Sequence, residues 1–281
     1  MIKKINNFLF ILITIFLIAC VAPTTQRVKP DEAAVAIEAE KQREIAIKEG
    51  LKSRQRLLRI GGPILKKSLP FCKDRKRKSI GITYANKHIF EEELQEIAIS
   101  KLGLSDTLEI TYVIDSYPAA EAGLRAGDIL LSVNEKEIPS GKDASKKFSE
   151  LLKKEIKDNA KLLFHVVRDN AVELLEVIPI ETCDYPLIVT NDDVVNAHAD
   201  GNNIYITQGM MDFTKSDDEL ALVVGHELAH NAMRHIDAKK INALGGLVID
   251  MLIAVLAGVD TQGMFTQNFA QAYSQEFESE A

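Results

Sequence analysis

Two histidines four residues apart, His226 and His230, enclose Glu227, Leu228 and Ala229 in the pattern His-Glu-x-x-His. On an α-helix, residues i and i+4 project from one face, so both imidazoles can close on a single metal ion. Glu227 then stands where a carboxylate can take a proton from an attacking water, the general base of metal-assisted hydrolysis. The neighbouring residues supply the helix. Ser216 and Glu219 have the spacing of a capping box, and Leu220 to Val224 form an apolar run. The motif therefore falls on the second and third turns of a buried helix. The chain has six histidines in 281 residues, and chance gives this pattern in about one such sequence in a hundred. Two core histidines satisfied by hydrogen bonds are the competing reading.

A hydrolytic zinc takes three protein ligands and keeps one position open. The metzincin pattern needs a glycine at 233 and a histidine at 236, where this chain has Met233 and Ile236. His235 falls nine residues after His226, on the opposite side of the helix. Beyond His230 the carboxylates are Asp237, Asp250, Asp260, Glu276, Glu278 and Glu280. Asp237 shares the helix and Asp250 interrupts an apolar run, so the terminal glutamates are the best source of a third ligand. A stripe of Phe265, Phe269, Tyr273 and Phe277 at i, i+4 spacing puts Glu276 nearer its centre than Glu278.

From the motif onward the chain resembles the gluzincin metallopeptidases of the BepA-like and HtpX-like type, the family of the CAAX prenyl endopeptidases. That family follows its histidine motif with an apolar stretch and then Tyr-Ser-Arg-x-x-Glu-x-x-Ala-Asp. Here Tyr273-Ser274-Gln275-Glu276-Phe277-Glu278-Ser279-Glu280-Ala281 aligns with it. The register implies one zinc held by His226, His230 and Glu278, with Glu276 as the alternative. Gln275 departs from the family's arginine, and the chain stops at Ala281, just before the family's Asp would come, so the peptidase domain is expected to be truncated. Asn196 to Gly201 and Asn203 to Thr207 are similar to the family's strand before the metal helix. Ile204 and Ile206 alternate with polar neighbours, as in a half-exposed strand whose edge could hold an extended peptide.

Residues 80–182 read as α+β. Strands are predicted near 108–115, 128–133, 161–168 and 172–179, with helices over 143–156 and, as an insertion, Glu91 to Lys101. The run from Tyr117 to Asn134 is similar to the PDZ pattern of bacterial periplasmic proteases, in which a short helix, a glycine turn and a Gly-Asp pair lead into a core strand. That resemblance implies capture of peptide C-termini by strand addition, with Ser79-Ile80-Gly81-Ile82 as the carboxylate loop and Ile80, Gly81 and Ile82 as its peptide-binding residues. A PDZ domain that only covers the active site is the competing role.

The N-terminus reads as a targeting segment. Lys3 and Lys4 precede an apolar stretch from Phe8 to Ile18, too short to span a bilayer comfortably. Leu17-Ile18-Ala19-Cys20 resembles a bacterial lipobox, which implies cleavage before Cys20, its lipidation and durable anchoring. Val21 is similar to outer-membrane-sorted examples. Loss of residues 1–19 removes two lysines and no acids, taking the net charge from −7 to −9, which argues against nucleic acid as a partner. Between Lys52 and Lys78 the basic residues are nearly unbroken by acids, either a solvated face or a contact with anionic headgroups. Cys72 and Cys183 are an even pair in an oxidising compartment and bracket the middle domain, so a disulfide is expected. Asp31 caps a helix expected to stop at Gly61-Gly62-Pro63. Leu244 to Val259 is apolar but too short and interrupted to cross a bilayer.

These features predict an α+β chain: a signal peptide (1–19), a helical and basic tether (20–79), a PDZ domain (80–182) and a zincin-like metallopeptidase domain with a mainly helical core (183–281). The expected activity is a zinc endopeptidase, anchored by lipid in the outer membrane and facing the periplasm. It would act on unfolded or misassembled envelope proteins. A non-catalytic PDZ lipoprotein acting as a binding or chaperone module is the rival.

Overall fold

The computed structural model describes residues 31–234 and is a mixture of helix and sheet, as the sequence predicts. The chain divides into two compact units, Met1–Gln42 and Arg43–Ala281. In the first, Asp31 accepts the Ala33 N–H at 3.0 Å at the start of helix α1 (Glu32–Lys67). All further description concerns the second unit.

The helix does not stop at Gly61-Gly62-Pro63 but continues to Lys67, with Pro63 inside it. A proline there removes an N–H and costs about 3 kcal/mol in a helix interior. Packing on two sides outweighs that cost. A Cβ on Gly61 would lie 2.3 Å from the Leu187 side chain, and one on Gly62 would lie 3.0 Å from Ile114. The Tyr117 hydroxyl donates to the Gly62 carbonyl at 3.0 Å. The two glycines are points of close approach between helix and sheets, and tertiary contact holds the helix where local propensity would end it.

Six strands form the larger sheet: β2 (Ile82–Ala85), β3 (Glu109–Val113), β4 (Ile129–Val133), β5 (Lys136–Glu137), β6 (Leu162–Arg168) and β7 (Ala171–Val177). Their order is β2-β3-β4-β6-β7, with β5 pairing β4, and every pairing is antiparallel. Helix α2 (Glu92–Leu102) is the expected insertion, and α3 (Pro118–Glu121) is the short helix of the PDZ-like run. Helix α4 (Ala144–Asp158) buries Phe148 against Leu108, Ile110, Leu162 and Phe164. The Gly-Asp pair has a structural reason. Gly127 takes φ +94°, and buried Asp128 accepts the Arg125 N–H at 2.9 Å and two bonds from the Arg168 guanidinium at 2.6 and 2.7 Å.

A ribbon that the sequence does not reveal joins the two ends of this region. Strand β1 (Lys76–Ser79) pairs antiparallel with β8 (Ile180–Cys183), Lys76 opposite Cys183 and Ser79 opposite Ile180. Cys72 and Cys183 are joined by a disulfide with their Cα atoms 5.6 Å apart.

A second core follows. Strands β9 (Leu187–Thr190), β10 (Ala197–Ala199) and β11 (Ile204–Thr207) are ordered β10-β11-β9, with β11 antiparallel to β10 and parallel to β9. They lead into α5 (Gln208–Phe213) and α6 (Asp217–Ala232). Leu57 and Leu65 of α1 pack with Ile204, Ile206, Leu220 and Val224. The end of the stretch read as a tether is therefore a wall of this core. The expectation that Ile204–Thr207 offers a free edge is corrected too: β11 is the central strand, with Ile204 and Ile206 fully buried.

Candidate metal centre and peptide groove

Helix α6 carries the histidine motif, and its start is fixed by several independent bonds. Ser216 Oγ accepts the Glu219 N–H at 3.2 Å while Glu219 Oε2 accepts the Ser216 N–H at 3.0 Å, completing the predicted capping box. Arg59 of α1 grips Asp217 through two bonds of 2.7 and 3.2 Å. Arg56 donates to the Ser216 carbonyl at 2.7 Å and the Met211 carbonyl at 2.9 Å. The bond from Arg59, followed by that from Arg56, holds the Asp217 carboxyl below its ordinary value, although burial opposes this. Negative charge at this helix end also suits the helix dipole.

Leu220, Val224 and Leu228 recur every four residues and seat α6 on the second core. The two histidines leave the helix about 140° around from the centre of that stripe. Their Nε2 atoms stand 3.1 Å apart, with ring planes at 85°. Two imidazoles on a tetrahedral zinc, each about 2.05 Å from it, would have their nitrogens about 3.3 Å apart. The observed spacing fits that bite, and the donor set is one that zinc favours. Glu227 is 8% exposed and His230 6%, so the candidate base and the candidate ligand are both largely withdrawn from water. Beside His226 a cleft is lined by Ile64, Asp218, Ala221, Leu222 and Gly225.

Among the described residues no group of three histidines, cysteines or acids could hold a metal. The expected third ligand Glu278, its alternative Glu276, His235, the Leu244 to Val259 run and the expected lipidation site Cys20 all lie outside the described residues.

Asn231, a residue the sequence does not single out, ties the site to its surroundings. Asn231 follows His230 directly and is 2% exposed. Its Nδ2 donates to the Asn203 carbonyl at 3.0 Å and its Oδ1 accepts the Gly201 N–H at 2.8 Å. Its own carbonyl accepts from the Tyr185 hydroxyl at 3.3 Å. One side chain thus binds the metal helix to the turn joining β10 and β11. That turn is itself held by Asp200, whose carboxylate accepts the N–H groups of Asn202 and Asn203 and the Tyr205 hydroxyl. Burial pushes the Asp200 pKa up, but these bonds outweigh it and hold the carboxyl at about 2. The available signal was a polar residue on the helix face defined by Leu220, Val224 and Leu228.

The predicted carboxylate loop borders a cleft of about 810 Å³ between β2 and α4. Gly81 takes φ +81°, and a Cβ there would lie 2.2 Å from Tyr117, so only glycine fits. The Ile80 and Gly81 carbonyls accept from Ala119 and Ile114 at 3.0 and 2.9 Å, fastening the loop to the sheet. The Gly81 N–H meets Ser79 Oγ at 3.2 Å. Strand β2 ends the sheet order and pairs only with β3 among the described strands.

The basic run differs from both sequence readings at several positions. Arg56 and Arg59 hold α6, Lys66 donates to the Ser116 carbonyl at 2.8 Å, and Arg75 lies over the Tyr185 ring at 5.3 Å. These charges serve internal contacts, which a linear charge pattern does not reveal.

Residues 165–281 match the family model for peptidase family M48, and residues 109–163 match that of a PDZ domain. No curated protein matches the chain. Among solved structures, the chain is similar to the HtrA3 PDZ domain bound to a phage-derived ligand, at 20% identity and TM-score 0.28 over 38% of this chain and 88% of that one. It is also similar to the HtrA-type protease AlgW with decapeptide, at 22% identity and TM-score 0.27 over 37% of this chain and 29% of that one. A third similarity, at 11% identity and TM-score 0.23, is to the PDZ domain of EpsC from Vibrio cholerae, over 35% of this chain and 94% of that one. The match thus spans less than a third of the AlgW chain. The expected pairing of a PDZ domain with a metallopeptidase domain is borne out by the two family models.

Proposed function

We propose that the chain is a zinc-dependent endopeptidase of the BepA-like type, anchored by lipid on Cys20 in the outer membrane and facing the periplasm. Its substrates would be unfolded or misassembled envelope proteins. The observation that carries the catalytic part is the 3.1 Å convergence of His226 and His230 on one helix, inside the M48 match. Zinc would be held by His226, His230 and Glu278, with Glu276 as the alternative. When bound, the metal supplies a Lewis acid that polarises the scissile carbonyl and acidifies water. Glu227 takes the proton of the attacking water and returns it to the leaving amine. Its burial keeps competing water away from the proton it carries. The Ser79–Ile82 loop holds a peptide's C-terminal carboxylate while the peptide pairs along β2.

The test is a set of variants of the full chain. Glu227→Gln is expected to keep zinc and lose casein cleavage, because an amide cannot accept the water's proton. Glu278→Ala is expected to lose more zinc than Glu276→Ala, and Cys20→Ser to leave the outer-membrane fraction. Equal cleavage by the Glu227→Gln variant and its parent would remove Glu227 as the base. Zinc binding without cleavage by the parent would favour a non-catalytic binding module.

A further inference from the structure

The peptide groove has a charge asymmetry that backbone capture of a C-terminus does not explain. Ile82 and Tyr84 form one apolar wall and Leu152 and Ile156 the other. Around them stand Arg77, Lys78, Lys153 and Lys157. Among the described residues the single acid lining the cleft, Asp184, is engaged by Arg77 at 3.6 Å. Lys78, Lys153 and Lys157 are exposed and make no ion pair among the described residues. Four cations against one acid reverse the character of a chain whose net charge is −7. On α4, Lys153 and Lys157 sit at i, i+4, each adjoining one of the wall residues Leu152 and Ile156. Like charges at that spacing repel, and an anion between them would relieve the repulsion.

We propose that the groove takes acidic peptides. An extended segment would pair along β2 with an apolar C-terminal residue between the walls and aspartate or glutamate side chains directed to Lys153 and Lys157 and to Arg77 and Lys78. Alternate side chains of a strand point to opposite faces, so one strand can fill the slot and meet the rim together. The lysines border a concave cleft with apolar walls rather than a flat face, which favours a peptide over a lipid surface. This inference rests on the peptide-groove reading.

The experiment uses the full chain carrying Glu227→Gln and three labelled decapeptides with one shared apolar C-terminal residue and acidic, neutral or basic upstream residues. Anisotropy is expected to give roughly tenfold tighter binding of the acidic peptide than of the neutral one at low salt, the sum of a few exposed charge pairs. The preference is expected to fall in 0.5 M salt. The double variant Lys153→Glu/Lys157→Glu is expected to lose the preference while holding the neutral peptide unchanged, and Leu152→Asp to lose the neutral peptide. Equal binding of acidic and neutral peptides, with both lost in Leu152→Asp, would overturn the charge selection and leave the groove intact. A preference that survives the double charge reversal would overturn it as well. Binding of no peptide would overturn the groove reading itself. Capture of phosphatidylglycerol vesicles through Lys153 and Lys157, without peptide binding, would assign the cations to a membrane instead.

Discussion

Replacing Asn231 by leucine, of similar size, isolates what its amide does. The substitution leaves the Gly201 N–H and the Asn203 carbonyl without the partners now at 2.8 and 3.0 Å. A buried polar group stripped of its partner costs about 1–3 kcal/mol. Gly201 and Asn203 are only half-buried, so water recovers part of this, and a total of about 2–3 kcal/mol is expected. For a unit of this size each kcal/mol lowers Tm by about 2–4 °C, giving a fall of about 5–10 °C. Tyr185→Phe removes one longer bond to the Asn231 carbonyl, 3.3 Å, and is expected to cost only about 1 kcal/mol. Below both transitions, Asn231→Leu is expected to retain its far-ultraviolet spectrum yet cleave about tenfold or more slowly, because small displacements of reacting groups are expensive. Calorimetry and casein cleavage at 15 °C measure the two effects. A Tm within 2 °C of the parent would refute the assignment of Asn231 as the tie between the metal helix and the β10–β11 turn.

Two further substitutions probe the supports of the second core. Gly209→Ala gains about 1 kcal/mol of helix propensity, but its Cβ would lie 2.2 Å from the Asp193 carbonyl oxygen. Backbone cannot yield cheaply, so a net loss of about 1–3 kcal/mol is expected by urea denaturation, and an unchanged midpoint would show that the 192–194 loop gives way. Asp200 has a folded pKa of about 2, below its ordinary 3.8, so its contribution is present above pH 4 and is lost as pH falls through 2. That contribution is on the order of 2 kcal/mol. The stability gap between the parent and Asp200→Asn should therefore narrow from pH 4 to pH 2, and a constant gap would contradict the linkage.

What could be read from the sequence was what is local in it. The capping box at Ser216, the spacing of His226 and His230, four of the six strands of the larger sheet and the glycine-marked Gly127-Asp128 turn all depend on near neighbours. Gly61-Gly62-Pro63 was misread because its meaning lies with Leu187, Ile114 and Tyr117, more than 50 residues away. Lys76–Ser79 looked like charge without alternation, and only its pairing with Ile180–Cys183 makes it a strand. Alternation at Ile204 and Ile206 indicates one buried face but not how many strands lie alongside, so it does not tell a central strand from an edge. Arg56 and Arg59 sat in a basic run whose partner, Asp217, lies about 160 residues further on.

The Cys72–Cys183 link spans 111 residues, and the larger sheet lies wholly within that span. The second core is thus split in the chain, with Leu57 and Leu65 made early and Ile204, Leu220 and Val224 made late. At about 5–20 residues per second, the early wall waits roughly 7–28 s for its counterpart during synthesis. During that interval its apolar face is open to wrong partners, and only the intervening sheet can fold. Once folded, that sheet sets β1 beside β8 and brings Cys72 and Cys183 to bonding distance. Most of the entropy of closing a loop of that length is then already spent. The order of assembly follows: the inserted sheet first, the α1–α6 core second. A mutation that slows the sheet would therefore be felt as aggregation of the peptidase half, far from the altered residue.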